Sequence, residues 1–162
     1  MREIICNTSP LQYLHQLGLL HLLPALVEKV VVPTAVFMEI ETGRENWVDL
    51  PDLSMLEWIE IRQPQKLPVF PLPYDLGAGE TEVLALAIEL KDVIVILDDL
   101  LARRTALALG IEIIGTLGIL LEAKRKNLLS EVKPILDKLD KLRFRLSNQT
   151  RDAVLKLSGE NL

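Results

Sequence analysis

The chain has 162 residues, a net charge of −5 at pH 7 and an apolar share of 49%, with aromatic residues at only 4%. That length suits one domain with a sizeable aliphatic core, while the acidic balance excludes nucleic-acid binding by bulk charge alone and the shortage of aromatics argues against a stacking surface for single strands. With one cysteine, Cys6, no internal disulfide can form, and a reducing, cytoplasmic setting is expected.

The chain starts Met1-Arg2-Glu3-Ile4-Ile5-Cys6 without the long apolar stretch of a secretory signal. No uncharged apolar run reaches the ~20 residues needed to span a bilayer. Arg2–Cys6 predicts a short buried strand. Asn7-Thr8-Ser9-Pro10 is a helix-start signal, with Ser9 at the N-cap and Pro10 at the first helical position, where a missing N–H costs nothing. Leu11, Leu14 and Leu17 then recur at helical spacing. Lys29–Val32 is the next strand, Pro33 opens a helix to about Glu41 and Glu57–Ile61 is a third strand. Residues 63–75 hold Pro64, Pro68, Pro71 and Pro73 and predict an extended loop. Gly77-Ala78-Gly79 leads into a helix over Glu80–Lys91. Val93–Leu97 is the clearest buried strand; Asp98-Asp99 ends it, and a helix follows to about Leu109. Ile111–Ile114 is a fifth strand, Thr116 caps another helix, and two more are expected near Glu131–Leu139 and Ser147–Leu157.

Strands that alternate with helices predict an α/β fold with a mainly parallel sheet, over residues 1–162 as a single domain. If the chain winds outward and then restarts beside the first strand, the order is 3-2-1-4-5. The switch point then lies between the first and fourth strands, where ligands bind outside the carboxyl ends. Asn7 follows the first strand and Asp98-Asp99 the fourth, so both clusters should face one crevice.

Two further acids fall on apolar helix faces. At ~100° per residue Glu80 aligns with Leu84 and Ala87, while Glu82 and Glu89 turn to the opposite side as ordinary surface acids. Glu39 shares a face with Ala35, Val36 and Ile40. A carboxylate among apolar neighbours calls for a partner or a cation. The competing roles are helix-dipole stabilisation for Glu80 and a salt bridge to Arg103 or Arg104 for Glu39. One of Asp98 and Asp99 could cap the next helix, but capping leaves the other unexplained. Such acids suit Mg²⁺, which takes a few carboxylates and keeps several waters. A Cys/His cluster for zinc and a phosphate-binding Gly-Lys loop are both missing. His15 and His21 complete no triad, and Cys6 is expected to be buried and inert. Residues 121–145 carry eight bases and four acids, a compatible setting for phosphate or a solvated helix face. Arg103, Arg104, Lys124, Arg125 and Lys126 are the candidate phosphate contacts.

Five stretches, in order, resemble one known family: Asn7-Thr8-Ser9-Pro10-Leu11, Pro33-Thr34-Ala35-Val36-Phe37-Met38-Glu39, Gly77-Ala78-Gly79-Glu80-Thr81-Glu82, Leu97-Asp98-Asp99-Leu100-Leu101-Ala102-Arg103-Arg104 and Gly115-Thr116-Leu117-Gly118. The set is similar to prokaryotic PIN-like proteins related to the VapC toxins of toxin–antitoxin modules, from Ile4 to about Leu157. The resemblance implies a three-layer PIN fold with sheet order 3-2-1-4-5 and an endoribonuclease dependent on Mg²⁺ or Mn²⁺. By position, Asn7, Glu39, Glu80 and Asp99 fall at the family's four acid positions, Asp98 is an accessory or alternative ligand, and Ser9 and Thr116 supply pocket hydroxyls. Glu39, Glu80, Asp98 and Asp99 would then be catalytic, with Asn7, Glu80, Asp98 and Asp99 on the metal. The same resemblance implies an RNA substrate, a homodimer and a small antitoxin. Asn7 departs from the usual Asp; an amide oxygen coordinates a cation without charge. The alternative is therefore a catalytically weakened or inactive PIN-like module that binds RNA or protein. A phosphoacceptor receiver domain is disfavoured, because the first strand ends in Cys6-Asn7 and no Lys lies near Gly115.

Overall fold

Five short runs rich in Val and Ile build the sheet: β1 Glu3–Cys6, β2 Val30–Pro33, β3 Ile59–Arg62, β4 Val93–Ile96 and β5 Glu112–Ile114. The computed structural model describes residues 2–66 and 72–160. All strand pairs are parallel and the order is β3-β2-β1-β4-β5, as the crossover argument requires. Central strands of a parallel sheet are covered on both faces, so they read as continuous apolar runs instead of alternating ones. β2 is buried at every position, whereas the edge strands β3 and β5 are only partly covered.

The helices are α1 Thr8–Gln16, α2 Leu22–Leu26, α3 Thr34–Glu45, α4 Ala78–Leu90, α5 Leu100–Ala108, α6 Thr116–Arg125, α7 Lys133–Lys141 and α8 Asn148–Ser158. Helices α3 and α4 pack on each other, α1 touches α3 and α6, and α6 packs on α8. Ile5, Leu84, Ile96, Leu97 and Leu120 are among the fully buried side chains of the core. Cys6 is also fully buried; burial, and then the charge of Asp98, push its thiol well above the ordinary range.

Several local expectations are corrected. Helix α1 starts at Thr8, so Asn7 is the N-cap in place of Ser9, and Pro10 is the third helical residue. The Asn7 N–H donates to Ile96 O at 3.1 Å, so β1 pairing runs directly into the helix and leaves no room for a later cap. Pro10 still lies in the first turn, where the N–H has no helical acceptor. Leu17 falls just beyond α1 and is only partly buried. Pro33 ends β2 and caps α3, which continues to Glu45 and not Glu41. Gly115 is the N-cap of α6, because the Thr116 N–H and hydroxyl are both given to Asp98. Helix α2 and the 3-10 turn Leu53–Met55 are too short to show a period in sequence. Residues 63–66 and 72–75 are neither helix nor strand, as the proline run implies; Pro68 and Pro71 lie outside the described residues.

Glu160 closes the end of α8 onto its neighbours. Its carboxylate accepts the N–H groups of Val132 at 2.7 Å and Lys133 at 3.0 Å, and Lys124 Nζ donates at 3.0 Å. The side chain is 13% exposed. Desolvation alone would raise its pKa, but these donors outweigh it and lower the value from 4.5 to about 2. A depressed folded-state value stabilises the fold above the unfolded value and is lost as pH falls through the folded one. Urea unfolding of Glu160→Gln should therefore show a loss of about 1–2 kcal/mol near neutral pH, shrinking between pH 4.5 and about 2.

Candidate functional site

β1 hydrogen-bonds to β2 on one side and β4 on the other, so the switch point lies between β1 and β4. Asn7 leaves the carboxyl end of β1, and Asp98 and Asp99 leave that of β4. Asn7 is 1% exposed, and its side-chain Oδ1 is buried without a hydrogen-bond partner. A buried unpaired carbonyl oxygen costs roughly 1–3 kcal/mol, so this acceptor needs a donor or a cation to satisfy it.

Glu80, in the first turn of α4, is partly buried. Burial pushes its carboxyl above the usual range. Its own backbone N–H opposes that, the charges of Glu39 and Asp99 add to it, and the Asn7 amide pulls it back down. Asn7, Glu39 and Asp99 thus all lie close enough to act on the Glu80 carboxyl.

The other three acids, Glu39, Asp98 and Asp99, also have structural partners. Glu39 Oε1 accepts the Gly79 N–H at 2.9 Å, and Oε2 accepts the Thr8 hydroxyl at 2.6 Å. The expected alternative, a salt bridge to Arg103 or Arg104, does not form; Arg103 donates to Leu97 O at 2.8 Å. A Cβ on Gly79 would lie 2.7 Å from Glu39 Oε1, so glycine lets the carboxylate approach the backbone and any side chain there would push it aside. Asp99 is the N-cap of α5, with Oδ2 accepting the Ala102 N–H at 2.9 Å. Asp98 Oδ1 accepts the Thr116 N–H at 2.8 Å, and Oδ2 accepts its hydroxyl at 2.6 Å. Burial still raises the Asp98 carboxyl, against the pull of Thr116 and Arg103. The two neighbouring aspartates therefore serve different helices, α5 and α6.

Two readings of surface acids need correction. Glu82 is not an ordinary surface acid: its Oε1 accepts the Ala35 N–H at 2.8 Å, at the start of α3. Glu89 accepts the Gln65 N–H and pins the loop after β3. Helical angles place both acids away from Glu80 but cannot show what packs on that side.

A cleft of about 880 Å³ opens at the site, lined by Glu80, Asp98 and Asp99, by Ser9 and Tyr13, and by Arg103, Arg143 and Arg145. Thr116 is fully buried behind it, bonded to Asp98. Of the candidate phosphate contacts only Arg103 lines the cleft. Lys124 pairs with Glu160 and Arg125 with Glu122, while Arg104 and Lys126 are exposed and line no part of it. Sequence reasoning missed Arg143 and Arg145 as site residues, and also Thr8, whose hydroxyl is the one that meets Glu39. Arg143-Phe144-Arg145, two cations around an aromatic just past a helix, was the available signal. Among the described residues no group of three His, Cys, Asp or Glu side chains forms a ready metal cage, and no helix is long and apolar enough to cross a membrane.

Two outcomes follow from this geometry. Gly79→Ala should displace the Glu39 carboxylate and destabilise the fold by about 1 kcal/mol in urea unfolding, through a weakened, partly buried hydrogen bond. Glu80 has a raised folded-state value, so its ionisation disfavours the metal-free fold as pH rises through that value. Glu80→Gln should stabilise the metal-free protein at neutral pH, by less than about 1 kcal/mol because water screens a partly exposed carboxyl. The gain should vanish below the ordinary carboxylate range; a constant gain at every pH would show that ionisation is not its source.

No curated protein matches the chain. A family model described as a PIN domain matches residues 3–160, from the first residue of β1 to the carboxylate that closes α8. PIN domains are in general nucleases and typically use divalent metals. The parallel sheet in order 3-2-1-4-5 agrees with that match, and the chain belongs to the PIN-domain family.

Proposed function

We propose that the protein is a metal-dependent endoribonuclease that hydrolyses RNA phosphodiesters, acting as the toxin of a toxin–antitoxin module. The orphaned Oδ1 of Asn7, buried beside a Glu80 carboxyl that Glu39 and Asp99 push upward, is the observation that carries this reading. A buried unpaired oxygen next to mutually repelling carboxylates fits a hard cation, which takes oxygen donors and relieves the repulsion. Asn7, Glu80 and Asp99 would hold Mg²⁺ or Mn²⁺, with Asp98 as an accessory ligand. Few protein ligands suffice for such ions, which keep several waters. When bound, the cation supplies charge neutralisation at a phosphodiester and a more acidic water.

The chain's own groups divide the remaining work. Glu39 lies between the starts of α1 and α4 and orients the Glu80 helix through Gly79. Ser9 presents a hydroxyl on the cleft wall, and Thr116 fixes Asp98. Arg103 places a guanidinium in the cleft, where it can meet a phosphate. The resemblance to VapC toxins supports a small antitoxin that blocks the cleft, a homodimer, a cytoplasmic location and a single domain over the whole chain.

A second reading is a weakened or inactive module that binds RNA or protein. Asn7 brings no charge, both Glu39 oxygens are engaged, and among the described residues no three acids form a cage. Cleavage of RNA with Mg²⁺ or Mn²⁺, paired with Mn²⁺ calorimetry, separates the two. In the nuclease, Glu80→Gln and Asp99→Asn should each reduce turnover on the order of 100-fold or more. Cleavage untouched by both substitutions would end that mechanism. In the weakened module, Mn²⁺ binding is undetectable in the wild type and emerges in Asn7→Asp.

A further inference from the structure

The segment that follows α7 is held in a specific way. Arg143 adopts a left-handed backbone, with φ of 66°, and its N–H donates to Asp140 O at 3.1 Å. The Phe144 N–H donates to Leu139 O at 3.0 Å, which closes the helix end. The Phe144 ring then meets Tyr13 of α1 edge-on, with centroids 5.0 Å apart and planes at 86°. Tyr13 and Phe144 line the same cleft as Glu80 and Asp99, so this contact seats residues 143–145 on its wall.

Among the described residues, the two arginines beside Phe144 meet no internal anion. Arg2, Arg44, Arg62, Arg125 and Arg151 all pair with carboxylates. Arg143 and Arg145 are exposed and, among the described residues, form no ion pair, although three acids line the same cleft. A protein of net charge −5 does not draw a polyanion by its overall field. Attraction must come from local cations, and guanidinium forks match phosphate oxygens. Two such cations on one cleft wall, either side of a fixed ring, can each meet a phosphate of one strand.

We infer that Arg143 and Arg145, seated by the Phe144–Tyr13 contact, form an arm that binds the phosphate backbone of single-stranded RNA in the cleft. The inference rests on the proposed nuclease reading for the identity of the strand, but its test does not need cleavage. Fluorescence anisotropy of a labelled single-stranded oligoribonucleotide is measured at low salt, with EDTA and again with Ca²⁺, and then across a salt series. Arg143→Gln and Arg145→Gln should each weaken binding about 3–10-fold, and each should lower the slope of log affinity against log salt by about 0.7. Arg143→Lys and Arg145→Lys should restore the slope but only part of the affinity, since a lysine is a point charge. Lys29→Gln, at the amino end of β2 and away from the cleft, removes the same charge and should leave binding within twofold of wild type.

Wild-type affinity in both arginine variants, an equal loss in Lys29→Gln, or no binding by the wild type in either buffer would each overturn the arm. Binding lost in the arginine variants of a protein that cuts no RNA would leave the arm standing and remove the nuclease reading. Cleavage abolished by Glu80→Gln, with strand binding indifferent to both arginines, would do the reverse.

Discussion

Everything at the site depends on the parallel pairing of β1 with β4. The register Cys6 with Ile96 is extended by the Asn7 N–H on Ile96 O, which holds the ends of two strands distant in sequence side by side. The chain enters β4 only after β2 and β3 have been laid on the other side of β1. Residues that follow β1 and β4 therefore have no strand between them and open onto a shared crevice. The aliphatic runs set this arrangement; the polar residues inherit it.

That arrangement also crowds acids together, and the fold answers with helix N-termini. Glu82 covers the start of α3, Glu39 that of α4, Asp99 that of α5, Asp98 that of α6 and Glu160 that of α7. Each carboxylate faces N–H groups that lack acceptors within their own helix, at the positive end of its dipole. Of these, Asp98 and Asp99 line the crevice as well, so the same two carboxylates supply negative charge there and fasten the helices that follow β4 and β5. Glu80 is the exception: it is hydrogen-bonded to its own N–H and fastens no second helix. Burial raises its carboxyl, and it lies beside Asn7, whose Oδ1 is unpaired.

Much of this was legible in the chain. Val93–Leu97 and the other aliphatic runs are strong enough to show all five strands, and crossover handedness then leaves the observed order. The inward faces of Glu39 and Glu80 follow from helical angle alone. Other features depend on contacts that no local pattern encodes. Ser9 and Thr116 look like caps, but strand pairing starts α1 earlier and Asp98 takes both polar groups of Thr116. Glu82 looks solvent-facing until α3 is packed beside α4. Lys124 and Arg125 look available until Glu160 and Glu122 meet them, whereas Arg143 and Arg145 line the cleft beside a Phe144 ring that packs on Tyr13.

The amide of Asn7 has a consequence for the fold itself. An aspartate there would place another like charge beside Glu80, buried, with only a cation to relieve it. The neutral amide leaves one unsatisfied oxygen instead, a smaller penalty that a marginally stable domain can carry. Under the proposed metal-dependent reading, position 7 is therefore where this protein would set the balance between standing folded without a cation and gripping one tightly.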